Sequence, residues 1–435
     1  MFGKALRTLG RIVIGLIVLV VILILIGFVV DLITYSTFKK MGSEYLQQLK
    51  NEIKQGPGNA WDYYAKTVEK YKSGSAFRNF VSKYLAGQVE MTAAMQKKLK
   101  AHDDILTMLK EGAGQPFCSI PIEYEKGIDA HIPNYTGLRD VGQLNAASAL
   151  FAINNNKQEE GLALICRGLI LGKQIISGAP LLINYMVGTV IVNMHLKVAE
   201  LAVASGKFNK SHLQQLVQFL NDFEEDFPSL GRVASSEIKL MIITLTNQPS
   251  WFSYIFTYIS TPIADKPSRE LGIQNRVWHY LKHWRYFFAP RFAVVKAAKF
   301  FIKLFSDIEC QELDGKILPV IDNVTLKNYT NQNPASTLMS FDISRMLKIK
   351  AAMLAKLKLL VLSSAVWLYH GDKSRFPESL NEIQNEYVND PDRGEKWDYT
   401  FALDSVVISS PGADLTYGSK DDLSVVLKRK IKQDR

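Results

Sequence analysis

Three aspartates near the C-terminus, Asp414, Asp421 and Asp422, bracket a short polar loop that also holds Gly418 and Ser419. Carboxylates on a glycine-containing turn are hard oxygen donors of the kind that Ca²⁺ gathers. Ser410, or a backbone carbonyl beside it, is placed to complete the shell. The expected metal set is therefore Ser410, Asp414, Asp421 and Asp422; the competing reading is an ordinary acidic surface turn. His279 and His283 are spaced i, i+4 and share a helix face, as in metal helices. The residues between them are Tyr280, Leu281 and Lys282, so the HExxH glutamate is missing and a lysine stands beside the would-be cation. No metal is expected there. His131 and His195 stand alone and read as structural. Cys118, Cys166 and Cys310 are far apart and odd in number, with no CxxC or Cys/His cluster to suggest zinc. Cys166, inside LALICRGLILG, reads as a buried small hydrophobe. An oxidising compartment would permit a Cys118–Cys310 disulfide, which nothing in the spacing demands. No GxSxG, P-loop or dinucleotide fingerprint occurs, and no nucleophile stands beside a recognisable base. The expectation is of a chain that is not an enzyme, with no catalytic residues and Ca²⁺ as its one candidate cofactor.

These groups must be held by something, and the chain's own chemistry says what. It has 435 residues, 47% hydrophobic and 22% charged, with net charge +10. That is a globular composition, long enough for two or three domains. The positive balance suits nucleic acid, an anionic membrane surface, or plain solubility. The membrane reading weighs more, because residues 12–30, IVIGLIVLVVILILIGFVV, carry no charge and are long enough to span a bilayer. Lys4, Arg7 and Arg11 precede the run, which keeps the N-terminus in the cytoplasm and exports the rest. Lys39 and Lys40 on the far side weaken this orientation slightly. GFVVDLITYSTFKK offers no small-x-small cleavage site, so the run reads as an uncleaved anchor rather than a signal peptide. Gly3-Lys4 lacks the stretch that follows it in a type IV pilin leader.

Expected domains are a cytoplasmic N-terminus (1–11), a transmembrane anchor (12–34), a helical domain (35–335), a C-terminal module (336–428) and a basic tail (429–435). In the helical domain, LRDVGQLNAASALFAI has helical spacing and stops at Asn154-Asn155-Asn156. QEEGLALICRGLILGKQII follows with acids in its first turn. Pro180 opens a third helix that ends at Ser205-Gly206, and Asn209 or Ser211 caps a fourth. Ala and Gly lie on the faces where these helices would meet, resembling a tetratricopeptide-like hairpin layer without true repeats. The third helix is apolar enough to raise a second membrane span, but buried core is preferred. Residues 251–305 interleave aromatics with Lys and Arg. Such a stretch suits a membrane interface; core aromatics with a solvated basic face is the favoured alternative, and nucleic acid is discounted for an exported domain.

The C-terminal module begins with a long helix, about 336–370, ending at Gly371. A turn at Pro377 leads a short helix, a Pro/Gly turn precedes a strand, and a second strand, a polar loop and a last strand follow. The order resembles the globular part of the type II secretion major pseudopilin. The matching residues are Gly371, Phe376, Pro377, Ser379 and Leu380; Asp390, Pro391, Gly394, Trp397 and Tyr399; Ser410, Gly412 and Asp414; and Asp421, Asp422 and Leu423. The resemblance covers about the last 90 residues and implies a calcium site in the final loop. Two features depart from that family. Residues 372–375 lengthen one turn, and about 300 residues separate anchor from module, so pilus-subunit function does not carry over. The whole chain is similar to single-anchor helical proteins of planctomycete-type bacteria. The resulting expectation is a mainly α protein with an N-terminal transmembrane helix, a hairpin or solenoid-like helical domain, and a small α+β pseudopilin-like module. It would sit in a bacterial inner membrane by a single span, with its bulk periplasmic, and act as a non-enzymatic scaffold that docks other envelope proteins. An accessory subunit of a secretion or pilus-like machine and an envelope enzyme are the alternatives.

Overall fold

The computed structural model describes residues 2–53, 56–247, 290–313, 343–383, 397–402, 405–410 and 422–428. Helix α1 runs unbroken over Phe2–Asn51. Residues 12–30 hold neither charge nor proline, and a helix satisfies its own backbone polar groups without help from solvent. Its apolar side chains from Val13 to Ile33 lie largely bare, and only 6% of its most apolar window is covered by protein. Three further helices are long and apolar enough to cross a membrane: α7 (Gln158–Gly178), α8 (Leu182–Ala204) and α12 (Ile343–Lys373). At least 56% of each of their windows is buried inside the protein, so their apolarity is spent on a protein core. The expectation of a buried third helix rather than a second span agrees with this packing.

Beyond the bare belt, α1 becomes one-sided. Asp31, Thr34, Phe38 and Met41 are buried while Lys39 and Lys40 face outward. The covered stripe packs on α10 (Leu230–Asn247) and α11 (Pro290–Leu313). Arg232 of α10 pairs with Glu52 at 3.0 Å, and Thr246 lies against Gly42, so α10 runs antiparallel to α1. Helix α11 starts at Asp31, whose carboxylate accepts from the Arg291 backbone N–H (2.8 Å) and guanidinium. It then climbs beside α10 until the Phe305 carbonyl crowds Gly231. At its far end, the Glu312 carboxylate accepts from Ser229 Oγ, Leu230 N and Gly231 N, which caps α10, and from Lys350 Nζ of α12 at 2.7 Å.

The larger core joins α2 (Ala60–Lys70), α3 (Ser75–Leu85), α4 (Ala93–Lys100), α5 (Asp103–Ala113), α6 (Tyr135–Asn154), α7, α8, α9 (Lys210–Glu225) and α12. The turns fall as the asparagines direct. Asn134 and Asn209 cap α6 and α9, accepting from Gly137 N and His212 N, and Asn156 takes a left-handed conformation after α6. Gly172 and Gly188 bring α7 and α8 so close that a Cβ on either would meet the other's carbonyl at 2.7 Å or less. Small residues do line that helix contact.

Three strands follow: β1 (Asp398–Ala402), β2 (Ser405–Ser410) and β3 (Leu423–Lys428), an antiparallel meander in the order β1-β2-β3. Val406 and Ile408 of β2 and Leu423, Val425 and Leu427 of β3 face inward and join the same core as the helices. One expectation needs correction, and one open possibility is not realised. Helix α12 does not end at Gly371; it continues to Lys373, and Ser374 takes the left-handed position while its N–H bonds the His370 carbonyl at 2.8 Å. The four extra residues of this turn supply the cap that Gly371 was expected to give. Cys118 and Cys310 do not pair: Cys118 is buried, Cys310 is exposed, and both thiols are free. Cys166 is half-buried, with its thiol pushed up to about 12 by desolvation.

Candidate functional site

A cleft of about 690 Å³ opens where α5, α7, α9, α10 and the end of α1 meet their connecting loops. The loop wall, Gln115–Ser119, follows α5 and is pinned from two sides. Asn59 accepts from Ser119 N at 2.8 Å and donates to its carbonyl at 2.9 Å, and Gln174 donates to the Gln115 carbonyl at 3.0 Å. Helix α7 presents Lys173, Gln174 and Ser177; α9 presents Phe219, Asp222 and Phe223; Arg232 comes from α10 and Glu52 from just past α1.

The charges pair across these walls. Lys173 Nζ donates to the Phe223 carbonyl at 3.3 Å, stands 3.7 Å from Asp226 and lies 5.3 Å over the Phe223 ring. Its partial burial makes the ammonium hold its proton less tightly than usual, lowering its pKa. Arg232 and Glu52 form the second pair. Cys118 borders the cleft, but desolvation pushes its thiol up to about 12, so it stays protonated and unreactive at neutral pH. The arrangement suits a polar or zwitterionic group held between fixed charges and two aromatic faces, and gives no reason to assign covalent chemistry.

The residues singled out by sequence fall elsewhere. Ser410 closes β2, directly opposite Leu423, so the β2–β3 hairpin brings Ser410 and Asp422 to the two roots of one loop. Asp414 and Asp421 lie outside the described residues, as do His279, His283 and the aromatic-basic stretch 251–289. Ser410 is fully buried on the inner face with Val406 and Ile408. Of the two options for that end of the shell, a backbone oxygen suits a loop cation better than this hydroxyl. Among the described residues there is no group of three His, Cys, Asp or Glu side chains poised to hold a metal. Part of the basic-aromatic stretch is visible in α11: its Phe301 and Phe305 are core, and Lys296, Lys299 and Lys303 are solvated.

His195 is fully buried. Its Nδ1 meets the Ile191 carbonyl at 2.8 Å and its Nε2 meets Asn145 Nδ2 at 2.9 Å. These partners fix a neutral ring with the proton on Nδ1, and burial lowers its pKa to about 4. It is a core polar clasp between α6 and α8, as its lone place in an apolar run suggested.

Of the residues on which the pseudopilin resemblance was drawn, Phe376, Pro377, Leu380, Trp397 and Tyr399 cluster at the end of α12, while Asp390, Pro391, Gly394, Gly412, Asp414 and Asp421 lie outside the described residues. Phe376 packs against Trp367 and His370, Leu380 and Trp397 are buried, and Tyr399 Oη donates to the Pro377 carbonyl. Beside them, Arg375, Tyr369 and the Glu378 N–H converge on Glu382 and hold its carboxyl down to about 2. No family model, no curated protein and no solved structure matches the chain.

The cleft and the Asp31–Arg291 junction had no signature in the sequence. Their residues come from elements up to 260 positions apart and belong to no spaced motif. The one available signal was Asp31 itself, a carboxylate at the end of an otherwise uncharged run.

Proposed function

We propose that this chain is a single-span bacterial envelope protein. Its N-terminus lies in the cytoplasm beside Lys4, Arg7 and Arg11, and its helical body is exported to dock other envelope proteins. The observation that carries the reading is the contrast along α1: bare apolar side chains over Val13–Ile33, then a covered stripe continuous with the core of the body. The cleft bounded by Lys173, Asp226, Arg232 and Glu52 is the candidate contact point for a partner's polar segment. Purification in mild detergent after brief cross-linking is expected to retain envelope proteins on the full chain, and Lys173→Glu with Arg232→Glu to release them. A lone monomer would overturn the docking role. The packed cluster of Phe376, Leu380, Trp397 and Tyr399 supports a narrower version, an accessory subunit of a secretion or pilus-like machine. Recovery of such a machine's components would select it.

The β2–β3 loop is assigned to Ca²⁺, with carboxylates from Asp414, Asp421 and Asp422 and a backbone oxygen at or beside Ser410. The ion would staple the loop that closes the sheet and carries no chemistry of its own. EDTA is expected to lower the melting temperature of the detergent-solubilised chain by a few degrees, and excess Ca²⁺ to restore it. Asp421→Ala should abolish the response. A wild-type chain whose melting ignores both additions contradicts the assignment.

A further inference from the structure

Several cations lie close to the end of the bare belt. Counting along α1, the last strongly exposed apolar residue is Ile33, 71% exposed, and Tyr35 follows at 40%. Tyr35 is flanked by two cations, with Lys39 Nζ 5.0 Å and Arg291 Cζ 4.8 Å from its ring centroid. Because Asp31 holds the first turn of α11, that helix starts level with the belt's edge and runs parallel to α1. Its outward face reads Phe292, Lys296, Lys299, spaced i, i+4, i+7, and all three are exposed. At 1.5 Å of rise per residue, Lys296 and Lys299 stand only about 7 and 12 Å above the Asp31 contact. Headgroups occupy roughly the first 5–8 Å beyond the hydrocarbon, and a lysine stem reaches several ångströms further.

Among the described residues of α1 and the first turns of α11 the charge balance is one-sided. Lys39, Lys40, Arg291, Lys296 and Lys299 face Asp31, which is committed to Arg291, and Glu44, which stands 3.8 Å from Lys40. Among the described residues no carboxylate pairs with Lys296 or Lys299. Aromatic rings at the edge of a bilayer with ammonium groups just above them are the arrangement that headgroup phosphates fill.

We propose that Lys39, Lys40, Lys296 and Lys299, with Tyr35 and Phe292 below them, form a collar that binds acidic phospholipid headgroups of the leaflet on the body's side. This rests on α1 being the membrane anchor. The collar gives the chain a lipid preference that a bare span lacks, and seats the body against the surface through α11 as well as α1. The Asp31–Arg291 pair is the positioning contact, since it sets the height at which α11 meets the headgroups.

The test is reconstitution of the full chain in phosphatidylcholine bilayers carrying trace spin-labelled lipid, either phosphatidylglycerol or phosphatidylcholine. The wild type is expected to restrict the phosphatidylglycerol label roughly fivefold more strongly than the phosphatidylcholine label. That ratio should fall towards one in about 1 M salt, where screening is nearly complete. The variant Lys39→Gln/Lys40→Gln/Lys296→Gln/Lys299→Gln alters only exposed side chains; it should keep its restricted lipid and lose most of the preference. Restricted lipid without a headgroup preference, or a preference unchanged in the quadruple variant, overturns the collar alone. Absence of restricted lipid for both labels, or release of the chain by alkaline carbonate, overturns the anchor and the collar together.

Discussion

Gly168→Ala is expected to destabilise the body by about 3 kcal/mol, the upper end of the overpacking range. A Cβ at this position would stand 2.0 Å from Nε2 of His195, with two ring carbons within 2.3 Å. The ring has nowhere to retreat, because Ile191 and Asn145 hold its two nitrogens. Combining the change with His195→Ala should recover part of the loss, as the new methyl enters the space the ring vacates. Denaturant titrations of the four proteins form the double-mutant cycle; simple additivity would refute the collision. The same clasp sets a pH dependence. Unfolded, a histidine takes its proton near 6.5; here it does so only near about 4. The stabilisation is complete above pH 6.5 and is lost as pH falls from 6.5 towards 4, amounting to about 3 kcal/mol. Glu237 and Glu309, whose pKa values burial raises, act in the opposite direction. The comparison that isolates His195 is therefore wild type against His195→Gln over this window, where the variant's profile should be flatter on the acid side.

Glu312→Ala is expected to cost about 3–5 kcal/mol, because it strands the Lys350 ammonium in a site where only 6% of that side chain is exposed. It also uncaps α10, leaving Leu230 N and Gly231 N without their acceptor. Lys350→Met alone leaves the carboxylate its three other donors and should be milder. The double change Glu312→Leu/Lys350→Met should recover the charge penalty but not the cap. Melting curves that order these variants otherwise would contradict the role of this pair as the joint where α10, α11 and α12 meet on one carboxylate.

Much of this architecture was legible in the sequence because its signals are local. The uncharged run 12–30, the asparagine caps at Asn134 and Asn209, the Asn154–Asn156 turn and the alternation in SVVISS and LSVVL each act within a few residues. The end of α12 was misplaced for a physical reason: glycine is favoured at a left-handed cap but not required, and Ser374 takes the position once the preceding turn can close onto His370. What was not legible is everything that depends on distant pairing. Lys173 with Asp226, Arg232 with Glu52, Asp31 with Arg291 and Lys350 with Glu312 each join different helices. A single chain of letters carries no record of such partners. The sequence also pointed to the C-terminal turns as the most informative region, whereas the cleft arises where the helices cross.

The unbroken course of α1 has a mechanical consequence. A span joined to its cargo by a coil works as a leash and leaves the cargo free to swivel. Here the apolar run and the stretch packed on α10 and α11 belong to one unbroken helix. Whatever tilts the lower half tilts the upper half with it. With α1 as the proposed anchor, a change of bilayer thickness that leans it would carry α10, α11 and the cleft wall at Arg232 with it, as a lever turns about a fulcrum at the membrane surface.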